Sequence, residues 1–508
     1  MTSSSTSSHE APDLSVLIKA YDVRGVVPDP FSTDVARAIG AAFADVVVHG
    51  AERTTADGAR PRVVVGRDMR PSGPDLVAAF GEGLTRRGVD VVRIGLCSTD
   101  GLYHASGALD LPGAMFTASH NPAEYNGIKM CHAGARPVGQ DSGLSTIRDL
   151  ATRYLVEGLP SEDGVTPGQV SDREMLGEYA RFLRALVDLS DIRPLRVVID
   201  AGNGMGGLTA PAVLGEDADL PALPLDIVPL YFELDGTFPN HEANPLEPEN
   251  LRDLQAAVVE HGADIGLAFD GDADRCFVID ELGAPVSPSA ITALVGLREV
   301  ARELADGRTP TVIHNLITSQ VVPDLLSAAG ARVVRTRVGH SFIKTEMAAN
   351  DAVFGGEHSA HYYFRDFFFA DTGMLAAMHV LAALGHARAS DGRPVPLSAL
   401  AEAYQPYAAS GEINSRVADV AAATDRVVQA YVTEQGAGPV TVDELDGLTV
   451  SHWAEQPRWW FNLRASNTEP LLRLNVEAAD EDVMTKVRDD VLGLVRQGAP
   501  AEDERPGA

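Results

Sequence analysis

Three carboxylates occupy alternate positions in DGDADR, at Asp270, Asp272 and Asp274, between the apolar runs IGLAF and CFVI. Hard oxygen ligands crowded into a tight loop between two strands suit Mg2+ and leave a coordination position for a phosphoryl oxygen. An EF-hand reading fails even though Glu281 falls on the twelfth position. The sixth position is Arg275, where that loop needs glycine, and the flanks read as strands and not helices.

Four more segments carry chemistry. In TASHNPAEYNGIKM (residues 117–130), Ser119 sits just past the apolar GAMF, with His120, Asn121 and Lys129 nearby. Its hydroxyl can accept a phosphoryl group, and the surroundings do not match the GxSxG elbow of a Ser-His-Asp hydrolase. In RASNTEPLLRLNVEA (residues 464–478), an arginine, two hydroxyls and an asparagine precede an apolar strand. A guanidinium fork there can take two phosphate oxygens while Ser466 and Thr468 donate further bonds. GGEHSAHYYF (residues 355–364) sets Glu357, Ser359 and His361 on alternate positions, so an extended chain would turn all three one way. Arg24 precedes a glycine in IKAYDVRG, otherwise a simple turn. Singly, each segment would pass as an ordinary polar loop or edge strand. Their joint presence argues for a site.

The elements that must position these groups repeat. RVVVGRD is a β-branched run ending in a polar loop, followed by the helical stretch PDLVAAFGEGLTRRG and a second run, VDVVRIG. Similar strand-loop-helix units begin at Arg196 and Thr311, which predicts three related α/β units in tandem. Parallel strands joined by right-handed crossovers place polar loops at the carboxyl ends of the sheet, where ligands of open α/β folds bind. After about Arg393 the texture changes to a linker and helix, a hairpin-like VDELDGLTVSHW and a last amphipathic helix, a smaller α+β domain.

With 508 residues the chain exceeds one hydrophobic core, and 45% hydrophobic with 22% charged residues is the composition of a globular protein. No apolar run approaches the roughly 18 residues of a membrane span. The opening MTSSSTSSHEAPDLS has neither a basic nor an apolar signal region, so it predicts a short disordered tail and a cytoplasmic protein. The end, GAPAEDERPGA, has the composition of disorder. Cys97, Cys131 and Cys276 are too dispersed for a disulfide framework and are expected to be buried thiols. A net charge of −31 excludes nucleic acid and acidic membranes as partners. A cleft can still gather cations around a small anion, and Lys19, Lys129 and Lys344 lie in or beside the segments above.

In this order, the five segments resemble the α-D-phosphohexomutase superfamily over nearly the whole chain, with TASHNP, DGDxDR, GExS and RxSxTEP as the specific elements. The resemblance implies three tandem related α/β domains plus a C-terminal α+β domain of the TATA-binding-protein-like type around a central cleft. Domains are expected at 1–168, 169–284, 285–405 and 406–508, each lending one loop. By similarity, Ser119 carries the phosphoryl group, and Asp270, Asp272 and Asp274 hold one Mg2+ per chain together with an oxygen of that phosphate. Glu357, Ser359 and His361 would read sugar hydroxyls. Arg464, Ser466, Asn467, Thr468 and Arg473 would grip the phosphate that is not reacting. VGHSFIK resembles the third domain's substrate loop, which makes His340 and Lys344 candidates for sugar or phosphate.

Arg24, Arg275 and Lys129 would neutralise developing charge. Lys129, His120, His340 and His361 remain open for proton transfer, with Lys129 preferred for its closeness to Ser119. The implied reaction is that of a phosphomannomutase/phosphoglucomutase, with a hexose 1,6-bisphosphate as intermediate and activator. A phosphoglucosamine mutase, a non-catalytic sugar-phosphate-binding protein and a phosphatase are the alternatives. The expected partner is a small hexose phosphate, with the chain a monomer or weak homodimer. The sequence departs from the family at Asn467, Ala360 and Ala273, where glycine is common, and the first two would narrow the cleft.

Overall fold

Runs such as Val63–Val65 and Val197–Ile199 are buried throughout, as strands covered on both faces by helices must be. The computed structural model describes residues 13–19, 21–50, 60–162, 164–433, 440–465 and 471–497, so both expected tails lie outside the described residues for most of their length. Four sheets result.

The first three share one plan. A central strand is flanked by two parallel neighbours, and one of these neighbours turns back into an antiparallel strand. In the first sheet the order is Tyr125–His132, Gly113–Phe116, Arg62–Arg67, Asp90–Leu96. In the second it is Cys276–Asp280, Ile265–Phe269, Leu195–Asp200, Leu225–Leu230. In the third it is Tyr362–Phe364, Phe354–Gly356, Thr311–Asn315, Arg332–Thr336. The fourth sheet is antiparallel, with Ala408–Arg416, Leu471–Ala478, Trp459–Ala465, Leu448–Ser451 and Thr441–Asp443 in that spatial order. Three α/β units and a C-terminal α+β unit are therefore present.

This plan refines the expectation drawn from crossover loops. The aspartates lie in a tight loop between two strands, as expected, and Ser119 and Glu357 share that setting instead of sitting on strand-to-helix crossovers. Each lies in the hairpin between the third parallel strand and its antiparallel partner: after Phe116, after Phe269 and after Gly356. A hairpin holds a loop from both sides, so it fixes a side chain more firmly than a long crossover. Each hairpin also contains one non-glycine residue with left-handed backbone: Ser119 at φ 49°, Ala273 at 59° and Ala360 at 65°.

Local signals account for the helices. Glu481–Val495 begins at Asp480, whose carboxylate accepts the Val483 N–H, and it buries Met484, Val487, Val491 and Val495 at helical spacing against the fourth sheet. Gly373–His386 is capped by Thr372 and buried on nearly all sides, as its apolar composition requires. One apolar core runs through the second and third units, a second fills the first unit, and the fourth has its own, from Val417 to Val495. The three cysteines are buried free thiols. Among the described residues, no helix is long and apolar enough to cross a membrane.

Candidate active site

Hairpins from the first two units meet face to face. The Ser119 hydroxyl donates to Asp270 Oδ2 at 2.7 Å, across 151 residues of sequence. The approach needs Gly271, because a Cβ there would stand 2.4 Å from the Ser119 carbonyl oxygen. The left-handed backbone of Ser119 is a strained state for a residue with a side chain, and the surrounding bonds hold it. Its N–H donates to Thr117 Oγ1 at 2.9 Å.

Asp270, Asp272 and Asp274 are fully buried, and their carboxylate oxygens lie within 4.8 Å of one another. Burial, then the charges of Asp274 and Asp272, push Asp270 up to about 6 against the pull of Arg275. Two cations offset the cluster. Lys129 Nζ lies 2.7 Å from Asp272 and 2.5 Å from Asp274, while Arg275 Nη2 lies 2.8 Å from Asp270. Burial opposes the Lys129 charge, but the two aspartates outweigh it and hold the ammonium above its ordinary range. Lys129 is thus set up as a fixed cation that balances Asp272 and Asp274. Burial likewise raises Asp274, yet Lys129 and His361 bring it down to about 2.

The trio passes the test for a divalent cation on its own chemistry. The donor set is all oxygen, which suits Mg2+. Asp272 Oδ1 and Asp274 Oδ1 are buried without a hydrogen-bond partner among the described residues, a state that costs free energy until a ligand fills it.

His120 lies 3.1 Å from the Ser119 hydroxyl through Nδ1, but the same nitrogen receives Arg275 Nη2 at 2.6 Å. Burial and then the Arg275 charge push His120 down to about 2, so it is a neutral acceptor here and not a poised proton carrier. Arg275 Nη2 also stands 3.5 Å from Ser119 Oγ. Arg24 is on the strand Val23–Val26 and not in a turn. Its guanidinium donates to Asn121 Oδ1 at 2.5 Å and to the Ala118 carbonyl at 3.2 Å, which ties it to the serine loop.

The third hairpin joins through backbone pairing of Arg275 with His361. His361 Nε2 stands 3.7 Å from Asp274, and its Nδ1 lies 3.2 Å from Ser359 Oγ. Glu357 is buried and accepts from Tyr363 Oη, from Asn315 Nδ2 at 3.0 Å and from the Gly339 N–H at 3.3 Å. Glu357, Ser359 and His361 are not turned one way by strand alternation, contrary to expectation. The segment is a turn and not an extended strand, because Ala360 has left-handed backbone. Ala360 is itself fully buried, so its methyl does not narrow the cleft.

Lys344, on the helix His340–Asn350, is buried. It ion-pairs with Asp371 at 2.6 Å and lies 3.9 Å from the centre of the Tyr103 ring. Arg464 reaches Glu412 at 3.6 Å and Asp446 at 3.8 Å, and Arg473 reaches Glu412 at 3.2 Å. Ser466, Asn467 and Thr468 lie outside the described residues, as does the side chain of His340.

Several supporting residues escaped the sequence reading. Arg70 is fully buried and donates to the carbonyls of Ser119, Asn121, Pro122 and Tyr125. Thr99 caps Asp272 from the first unit through its N–H at 3.0 Å and its hydroxyl at 2.6 Å. Asp100 accepts from Tyr179 and Thr372, both at 2.6 Å, which joins three units at one carboxylate. The signal for Arg70 was present in DMRPSG, charged residues directly behind a buried valine strand.

Comparison with known proteins agrees with this geometry. The phosphoglucomutase/phosphomannomutase alpha/beta/alpha domains I, II and III match residues 15–155, 177–283 and 288–407, and the family's C-terminal domain matches residues 412–494. The chain therefore belongs to the phosphoglucomutase/phosphomannomutase family and is a phosphohexomutase, an isomerase that acts by phosphoryl transfer. It is 38% identical to the "Phosphohexose mutases" of Xanthomonas campestris pv. campestris over 94% of this chain and 99% of that one. Identity is also 38% to a phosphomannomutase of Salmonella typhimurium, over 94% of this chain and 98% of that one. A solved phosphoglucomutase/phosphomannomutase family protein from Burkholderia thailandensis superposes with a TM-score of 0.79 at 30% identity, covering 96% and 98% of the two chains.

Proposed function

We propose that the enzyme interconverts hexose 1-phosphates and hexose 6-phosphates, with mannose and glucose as the sugars, through a phosphoryl group carried on Ser119. The observation that carries this reading is the Ser119 hydroxyl 2.7 Å from Asp270, inside the buried carboxylate trio. The name of the similar Salmonella typhimurium enzyme, a phosphomannomutase, favours mannose phosphate as substrate.

In this reading the bond from phosphorus to Ser119 Oγ breaks as a bond to a sugar hydroxyl oxygen forms. In balance, one proton passes from the sugar hydroxyl to Ser119 Oγ as the phosphoryl group moves the other way. The resulting hexose 1,6-bisphosphate turns end for end, returns its other phosphoryl group to Ser119 and serves as activator when supplied. Asp270, Asp272 and Asp274 would hold one Mg2+ per chain together with an oxygen on phosphoserine. Bound there, the ion supplies positive charge to the transferring phosphoryl group.

The remaining work falls to side chains. Arg275, 3.5 Å from Ser119 Oγ, offsets charge that develops on the leaving oxygen. Lys129 steadies Asp272 and Asp274 beside the reacting groups, and proton transfer is assigned to Lys129 or to His361, which stands 3.7 Å from Asp274. Glu357 and Ser359 orient sugar hydroxyls, while Arg464 holds the phosphate that is not reacting. Every loop comes from one chain, which supports a competent monomer or weak homodimer.

The test is intact mass before and after incubation with glucose 1,6-bisphosphate, with rates on mannose 1-phosphate, glucose 1-phosphate and glucosamine 6-phosphate measured side by side. Phosphoryl mass on Ser119 and loss of turnover in Ser119→Ala are the expected results. An unchanged rate in that variant would sink the phosphoserine, and a preference for the amino sugar would move the substrate to glucosamine phosphate.

A further inference from the structure

We propose that Asp446 is a positioning residue that competes with the substrate's phosphate for Arg464 and so limits how tightly that phosphate is held. The proposal rests on the reading that Arg464 grips the non-reacting phosphate.

Asp446 lies in the hairpin turn between Thr441–Asp443 and Leu448–Ser451. Gly447 lets that turn lie flat on the strand Trp459–Ala465. Its φ is 75°, and a Cβ would stand 2.6 Å from the Leu463 carbonyl oxygen and 2.9 Å from Arg464 Cα. Asn462 Nδ2 clamps the turn by donating to the Asp446 carbonyl at 3.1 Å. The Asp446 carboxylate is therefore built in beside Arg464 and is not a chance surface neighbour.

What it does there is unusual for an ion pair. Asp446 stands 3.8 Å from Arg464 Nη1, and Glu412 stands 3.6 Å from Nη2, both too long for hydrogen bonds. Arg464 Nε is buried without a partner among the described residues, as is Arg473 Nε. Among the described residues the guanidinium is neutralised from a distance, and its Nε has no close acceptor. A phosphate dianion with two oxygens in the plane of the fork would make the close bonds that the carboxylates do not.

The same Asp446 oxygen accepts the Val338 N–H of the third unit at 3.2 Å. The next residue, Gly339, donates to Glu357. Burial and then Asp446 and Glu357 raise the Tyr21 phenol, which places these two carboxylates around one ring at the edge of the first unit. Asp446 is thus a bridge between the fourth unit and the loop beside Glu357.

The consequence for turnover is a deliberate weakness. A bisphosphate that must turn round between two half-reactions cannot be gripped too firmly at either end. A carboxylate kept next to the phosphate-binding arginine sets that limit by charge.

Dissociation constants for glucose 1-phosphate, measured by calorimetry in a Ser119→Ala background to exclude turnover, test the proposal. Asp446→Asn should bind about two- to fivefold more tightly, the scale of a partly exposed ion pair. Asp446→Ser is the second variant, and Arg464→Met should weaken binding and abolish the effect of either change. In the enzyme with Ser119 intact, Asp446→Asn should lower KM without raising kcat. A merely structural aspartate would give weaker binding when removed. If Arg464→Met weakens binding but neither Asp446 variant tightens it, the competition is overturned while the reading of Arg464 survives. If Arg464→Met binds as tightly as its parent, the reading of Arg464 fails and the proposal fails with it.

Discussion

The guanidinium of Arg70 donates to the carbonyl oxygen of Ser119 at 3.0 Å, from inside the protein and 49 residues away in sequence. It gives further bonds to the carbonyls of Asn121 at 2.6 Å, Pro122 at 2.7 Å and Tyr125 at 2.9 Å, and Asp68 backs it at 3.3 Å. The strained loop is thus held from beneath by one planar fork.

Lysine cannot replace that fork, because a single ammonium on a flexible stem does not span four carbonyls. Arg70→Lys is expected to reduce kcat by about 10- to 100-fold, since small misplacement of a reacting atom is costly. KM should change less than twofold, because Arg70 is fully buried and spends its donors on backbone carbonyls. Steady-state kinetics separate the two, and an unaltered kcat would rule out the supporting role.

Lys129 is expected to stand in for positive charge when the carboxylate trio holds no metal. Lys129→Met leaves three buried carboxylates with only Arg275 and the more distant His361 beside them, and breaking a buried pair costs about 3–5 kcal/mol. Melting in EDTA should therefore drop sharply. Added Mg2+ should raise the midpoint further in the variant than in the parent. Equal increments in both proteins would show that Lys129 does not balance the aspartates.

Ala360→Gly should leave the sugar preference unchanged. The methyl is fully buried, so its removal opens no space for the sugar. Three stability effects nearly cancel: relief of left-handed backbone, about 1–2 kcal/mol, against about 0.8 kcal/mol for a lost buried methyl and 0.4–1 kcal/mol of added unfolded-chain entropy. The ratio of kcat/KM for mannose and glucose 1-phosphates should stay within twofold. A larger change would place the loop, and not the methyl, in control of specificity.

His314 gives a pH dependence whose sign is fixed. Burial, then the charge of Arg335, push it down to about 4. Its unfolded value is about 6.5, so below that pH the unfolded chain takes a proton that the fold refuses. The stabilisation is complete above pH 6.5 and is lost as pH falls toward 4. Between pH 7 and 5 the loss is about 2 kcal/mol. His314→Gln, which cannot titrate there, should show a smaller fall in urea stability over that range. Identical falls would mean that the fold accepts the His314 proton as readily as the unfolded chain does.

Sequence reading reached what is local. Buried valine runs announced the central strands, and DGDADR and Ser119 were legible because their chemistry lies in consecutive residues bounded by apolar strands. What escaped was non-local. The partners of Arg70 are backbone carbonyls, which carry no side-chain signature, and Asp446 acquires a role only because Gly447 lays its turn on Arg464. The alternation of Glu357, Ser359 and His361 misled for a related reason, since one left-handed residue at 360 breaks the period on which it rested.

The core of the fourth unit, Val417 to Val495, closes on itself, whereas the second and third units share one. Heat is thus free to melt the C-terminal lobe on its own, before the rest of the molecule gives way. A warmed sample would then fail first as a binder of sugar phosphate while Ser119 and its carboxylates stayed in register, and thermal inactivation would run ahead of the loss of helix.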